Sequence, residues 1–158
     1  MEYKENQHSV YLLTYHAVFV VKYRRKVIDQ EIMGYMRSMT ERLMGGYGGS
    51  LIEFNGEEDH IHVLFEIPPS ACPSRIVCSL KTQLSKYVRA EYWERIHDKL
   101  WKDSFWSDSY FLTTTGGANI ETIEQYIQNQ GIERPKRKYC RRQKDVTKTK
   151  KRHSSPTD

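Results

Sequence analysis

Apolar positions along this chain switch between a period near two and a period near 3.6, and each switch marks an element. From Val10 to Tyr23 the run Val-Tyr-Leu-Leu-Thr-Tyr-His-Ala-Val-Phe-Val-Val-Lys-Tyr is dense in β-branched and aromatic residues and contains no Gly or Pro. It predicts one long, mostly buried strand. Asp29 is suited to capping a helix, and behind it Ile32, Met36, Met39 and Leu43 recur at spacings of four, three and four, with Gly45-Gly46 available as an end. The methionines read as core filling. Ser50 to Asn55 and the run from His60 return to strand composition, and Asn55-Gly56 between them predicts a tight hairpin turn. Pro68 and Pro69 stop the second of these strands. Pro73 opens a second helix through Ile76, Leu80, Leu84 and Tyr87 or Val88, and Phe105 to Thr115 reads as a further strand closed by Gly116-Gly117. The order is βαββαβ, the split βαβ pattern of an α+β, ferredoxin-like (RRM-like) fold: an antiparallel sheet with two helices on one face. A short helix follows, Ile120 to Gln130, with Asn119 as its cap, Ile120, Ile123 and Ile127 as its stripe, and Gly131 and Pro135 ending it; it is expected on the other face.

Within this pattern the stretch Glu58-Asp59-His60-Ile61-His62-Val63-Leu64-Phe65-Glu66 concentrates the chemistry. Side chains alternate along a strand, so Ile61, Val63 and Phe65 share one face and His60 and His62 the other. Two neutral imidazoles on a stiff backbone can chelate a divalent cation if further ligands arrive from elsewhere; an isolated pair can equally be surface decoration or a hydrogen-bonded couple. His16 in the first strand can reach the same place or be a satisfied core group. On the last helix, Tyr126 and Gln130 are four residues apart and therefore neighbours, on the border of the apolar stripe. Each alone is ordinary, a packing residue and a polar helix end. If the helix covers the histidine face, the Gln130 carboxamide oxygen becomes a third ligand and Tyr126 stands beside the cation, Mg²⁺ or Mn²⁺, with its phenolate placed to attack a phosphodiester and release a 3′-hydroxyl.

Charge adds a second theme. Of the net +5, residues 131–158 carry eleven Lys or Arg against three acids, a local +8 that leaves −3 for the rest. Residues 1–133 are expected to form the catalytic domain and residues 134–158 a basic, disordered tail able to contact nucleic acid. Lys22-Tyr23-Arg24-Arg25-Lys26 places four cations around one ring at a strand end, a pattern that suits a phosphate backbone and an unstacked base as well as plain solvation. The three cysteines, Cys72, Cys78 and Cys140, lack Cys-x-x-Cys spacing, which argues against a disulfide framework or structural zinc and for a reducing compartment. There is no apolar run of transmembrane length and the first residues are too polar for a signal peptide, so a cytoplasmic location without membrane contact is expected.

Taken together, Tyr15-His16-Ala17-Val18-Phe19, Lys22-Tyr23-Arg24-Arg25-Lys26-Val27, Asp59-His60-Ile61-His62, Phe105-Trp106-Ser107, Ser109-Tyr110-Phe111 and the helix to Gln130 resemble, in this order, the single-tyrosine HUH transposases of small bacterial and archaeal insertion sequences. The resemblance spans roughly residues 8–133. It implies that His60 and His62 are the family's metal-binding His-hydrophobic-His, Tyr126 its nucleophile and Gln130 its third ligand. It further implies single-stranded DNA cleavage through a 5′-phosphotyrosine, strand transfer, recognition of imperfect end hairpins, no nucleotide cofactor, and a homodimer in which the tyrosine helix of one subunit completes the site of the other. Gly116-Gly117 suits such an exchange as a joint. Thr113-Thr114-Thr115 and the long basic tail depart from the family's pattern.

Three alternatives stay open at this level. A domesticated relative would process palindromic repeats with the same chemistry. A non-catalytic single-stranded nucleic-acid binder of the same fold would use Tyr23 and Tyr110 for stacking and tolerate Tyr126→Phe. A zinc hydrolase would need a further His, Asp or Glu at a convincing spacing, which the sequence does not offer.

Overall fold

The computed structural model of the protein describes residues 3–114 and 120–130. Four strands form the central sheet: β3 (Thr14–Val20), β4 (Ser50–Glu57), β5 (His60–Glu66) and β6 (Phe111–Thr114). They are ordered β4-β5-β3-β6 with every pairing antiparallel, and α1 (Gln30–Gly46) and α2 (Pro73–Ile96) lie between them in sequence. This is the ferredoxin-like α+β arrangement. A small hairpin, β1 (Lys4–Asn6) with β2 (Ser9–Tyr11), precedes it, and α3 (Ile120–Asn129) follows it.

Register separates two faces. Ala17, Phe19 and Val21 and, on β5, Ile61, Val63 and Phe65 bury one face against Ile32, Met36 and Met44 of α1 and Ile76, Leu80, Leu84 and Val88 of α2. Each such fully buried side chain contributes roughly 1.5–3 kcal/mol, so this layer makes the sheet rigid. Asp29 caps α1 as expected, its carboxylate accepting from the Ile32 amide at 2.9 Å. The opposite face holds a smaller cluster in which Val18 and Val20 of β3 meet Ile127 of α3, with Phe111 and Tyr126 packed against it.

Three expected boundaries move. The strand expected over Val10–Tyr23 is interrupted: β2 pairs only with β1, β3 begins at Thr14, and Lys22–Arg24 turn as a 3₁₀ segment with Tyr23 and Arg24 in the left-handed region. Composition could not locate that reversal, because what fixes it is distant backbone: the Val21 amide donates to the Asp59 carbonyl and the Lys22 amide to the Phe105 carbonyl.

The hairpin does not turn at Asn55-Gly56. Both continue β4, opposite His62 and Ile61, and the chain reverses at Glu58-Asp59. Gly56 is needed for closeness instead: a Cβ there would lie 2.2 Å from the His60 carbonyl oxygen. The strand expected from Phe105 shrinks to Phe111–Thr114, since Trp106 makes only an isolated bridge to Val21 while its indole donates to the Lys81 carbonyl. Gly116-Gly117, the Asn119 cap, the side chains of Ile120 and Ile123, Gly131, Pro135, Cys140 and the basic tail lie outside the described residues.

Candidate functional site

His60 and His62 stand on the face of the sheet opposite the main core, where β5 runs beside β3. Directly opposite residues of paired strands point the same way, so Val20 pairs with His60, Val18 with His62 and His16 with Leu64 on that face, and Glu57 and Asn55 of β4 flank the two histidines. The imidazoles meet edge to face with ring centres 5.0 Å apart.

Each ring has a partner on Nδ1. His60 Nδ1 is 2.7 Å from Asp59 Oδ1, and the other Asp59 oxygen accepts from Arg24 Nε at 2.9 Å. His62 Nδ1 is 3.0 Å from His16 Nε2.

Burial and neighbouring groups shift the titration of His62, His16 and Asp59. Burial, reinforced by the neighbouring His60 and His16, pushes the His62 imidazole down to about 4, so it is neutral at physiological pH. Burial likewise lowers His16, partly offset by Glu53. Asp59 is drawn up by burial, but hydrogen bonds from His60 and Arg24 and their charges outweigh this and hold it below its ordinary value.

Among the described residues Glu57, Asp59 and His60 also bring potential ligand atoms within 4.8 Å of one another. The imidazole pair fits a divalent cation better than that cluster does. Asp59 already binds the His60 Nδ1 hydrogen, and the Arg24 guanidinium on its second oxygen opposes another positive charge there.

Tyr126 and Gln130 come together as their spacing predicts, on Ser109. The Ser109 hydroxyl is 3.1 Å from the Tyr126 hydroxyl and donates to Gln130 Oε1 at 3.3 Å. The Tyr126 ring packs on Phe111 with centres 5.6 Å apart; Phe111 is paired with Val18, and Val18 with His62. The phenol therefore shares the histidines' face but packs over β3 and β6, the two strands beyond β5. Among the described residues no hydrogen bond joins Tyr126 or Gln130 to His60 or His62. Burial raises the Tyr126 phenol above its usual value, opposed by the Ser109 hydrogen bond, so it is protonated at neutral pH.

Ser109 itself sits in a loop organised by Lys81, whose ammonium donates to the carbonyls of Ser107 at 2.7 Å and Ser109 at 3.0 Å. Burial lowers this lysine's pKa. Sequence reading assigned no role to Glu57, and Ser109 and Asp59 entered only as parts of motifs. Serines and acids in loops carry no periodic signal, and the sole hint was proximity to residues already singled out.

The basic cluster is placed in the 3₁₀ turn and the loop behind it. Lys22 pairs with Asp108 at 3.1 Å, Arg24 with Asp59 and Lys26 with Glu58 at 3.4 Å, while Tyr23 meets Trp101 edge to face. Arg25 reaches the Lys99 carbonyl at 3.5 Å. Lys22, Arg24 and Lys26 thus each face an acidic partner within the chain, which lowers the positive potential this turn offers a phosphate.

The chain is similar in sequence and in fold to known proteins. A sequence profile for IS200-like transposases matches residues 9–130. The chain is 27% identical over 130 residues to the ISDra2 transposase TnpA of Deinococcus radiodurans, covering 82% of this chain and 92% of that protein. It is 30% identical over 127 residues to the transposase for insertion sequence element IS200 of Salmonella typhimurium, covering 80% and 82% respectively. A crystal structure of a Deinococcus radiodurans protein assigned as a transposase superposes with a TM-score of 0.73 at 25% identity, over 80% of this chain and 97% of that one. With the profile covering most of its length, the chain belongs to the family of IS200-like transposases, enzymes that process DNA.

Proposed function

We propose that this transposase cuts and rejoins single-stranded DNA at insertion-sequence ends, with Tyr126 as nucleophile and His60, His62 and Gln130 holding Mg²⁺ or Mn²⁺. The observation that carries this reading is that the imidazole pair and the phenol–carboxamide pair occupy one face of one sheet, separate from the packed core. The relatives' own description as transposases for insertion-sequence elements supports the same substrate class.

A bound divalent cation supplies charge stabilisation at the phosphodiester oxygens. Tyr126 must leave Ser109, lose its proton and attack phosphorus; the new phenol–phosphorus bond replaces the bond to the 3′-oxygen, which takes up a proton and departs as the hydroxyl. Because the 5′-phosphate stays attached to the protein, reversal by another 3′-hydroxyl rejoins DNA without a nucleotide cofactor. Gln130 shares the Ser109 hydroxyl with Tyr126, so release of the phenol and delivery of the carboxamide oxygen are one movement of α3. That movement can close within a subunit or, in a homodimer, onto the partner's histidines.

The test mixes purified protein with single-stranded DNA bearing an element-end hairpin and Mg²⁺, and follows a covalent adduct on a denaturing gel. The adduct forms with the natural chain, and is lost with Tyr126→Phe and with a chelator. An adduct that survives Tyr126→Phe reassigns the nucleophile, and equal cutting of duplex DNA removes the single-strand preference. Hairpin binding with no adduct at all leaves a non-catalytic binder.

A further inference from the structure

We infer that His16 and Asp59 are a matched pair of positioning residues, each occupying the Nδ1 of one histidine ligand so that both imidazoles present Nε2 to the same cation. The inference rests on the cation site proposed above and adds to it the two residues that set its protonation pattern.

A neutral imidazole ring carries one proton, and only the nitrogen without it can ligate. Asp59 is an obligate acceptor, since its carboxyl is ionised and its second oxygen is already bound by Arg24. The proton on His60 is therefore on Nδ1, and the lone pair on Nε2. This is the carboxylate–histidine arrangement that fixes ring orientation and raises ligand basicity in metal sites generally.

His62 has no carboxylate. Its Nδ1 faces His16 Nε2 at 3.0 Å, and one of those two nitrogens bears the hydrogen. If His16 donates, His62 must hold its own proton on Nε2 and cannot ligate through it. If His62 donates, its Nε2 is free, matching His60. Only the second arrangement gives two convergent ligands, and it requires His16 to be an acceptor at Nε2, with its own proton on Nδ1.

Position supports the assignment. His16 lies on β3, one register step from the Val18–His62 pair, and is held by the same ladder that holds β5. Its ring is tilted 31° to that of His62 with centres 5.2 Å apart, which suits a hydrogen bond between ring edges. Asp59 is 7% exposed in the β4–β5 turn, and its backbone carbonyl accepts from Val21. Both partners are thus built into the scaffold before any cation arrives. Arg24, in left-handed backbone at φ 53°, completes the Asp59 side.

The experiment uses the full chain without metal and then with Mn²⁺ alone. Long-range proton–nitrogen-15 NMR of the metal-free protein reads which nitrogen of each histidine is protonated. The expected result is Nδ1–H on His60 and His62; Nε2–H on His62 overturns the proposal.

Mn²⁺ affinity, followed by the electron paramagnetic resonance signal of the free ion, is expected to weaken about 10–100-fold in His16→Ala and Asp59→Ala. His16→Gln, whose amide oxygen can accept from Nδ1–H, should recover most of the loss. Natural affinity in both alanine variants overturns the proposal while leaving the cation site in place, provided His60→Ala and His62→Ala still abolish binding. Affinity that survives His62→Ala but disappears in Glu57→Gln puts the ion in the Glu57–Asp59–His60 cluster and removes both readings. Should an alanine variant fail to fold, the NMR measurement on the unaltered protein still decides.

Discussion

The histidine centre and the tyrosine helix occupy one face of the sheet but are held by very different means. His60 and His62 project from β5, which has hydrogen-bonded neighbours on both sides and whose reverse face is packed by α1 and α2. Moving either imidazole means disturbing the core. Tyr126 rides on, and Gln130 directly follows, a ten-residue helix whose described anchors are one buried isoleucine, Ile127, the contact of Tyr126 with Phe111, and a shared serine hydroxyl. A helix that short is marginal without docking. Under the proposed assignment the contrast is a division of labour: the two histidines are pre-organised by the fold, while Tyr126 is held on a local contact that it would leave to react.

The largest expected effect separates the two regions by chemistry. His62→Ala should lower adduct formation by about a hundred-fold or more, since a catalytic cation is worth several kcal/mol, while hydrogen exchange in α3 stays unchanged. Loss of α3 protection in that variant would mean the regions are coupled at rest.

A pair of truncations sharpens the point mechanically. Ile61→Ala and Ile127→Ala each remove a buried side chain at a cost of about 2–5 kcal/mol. The first should appear as a lower melting temperature of the whole domain. The second should leave that transition nearly in place and instead expose α3 to proteolysis and exchange. A shared global effect would show that α3 belongs to the same cooperative unit as the sheet.

Acid tests the histidine side alone. Because His62 titrates near 4 when folded and near 6.5 when unfolded, the unfolded chain binds the extra proton first. Its contribution is fully present above the unfolded value and is lost as pH falls towards 4. Metal-free protein should lose roughly 3–6 °C of melting temperature over that interval, and His62→Asn should flatten the slope.

The smallest effect is local. Ser109→Ala removes one hydroxyl from the Tyr126–Gln130 contact, worth about 1 kcal/mol. Exchange in α3 should rise about five-fold with no change in the sheet. An unchanged α3 would show that Ile127 and the Tyr126–Phe111 contact alone hold the helix.

What the sequence determined by itself was everything that repeats along the chain. Alternation put Ile61, Val63 and Phe65 in the core and His60 and His62 opposite; helical spacing joined Tyr126 to Gln130 and recovered α1 and α2; the βαββαβ order led to the sheet. Such signals are local, so a window of a few residues contains them. Tertiary structure decided the rest, because the deciding partners are far apart in the chain. His16 meets His62 across 46 positions, Arg24 meets Asp59 across 35 and Ser109 meets Tyr126 across 17. The break after β3, the move of the turn from Asn55-Gly56 to Glu58-Asp59 and the shortening of β6 follow from the same cause. In each, a backbone or side-chain group finds its hydrogen-bonding partner on another element, and that outweighs the local preference for a strand or a turn.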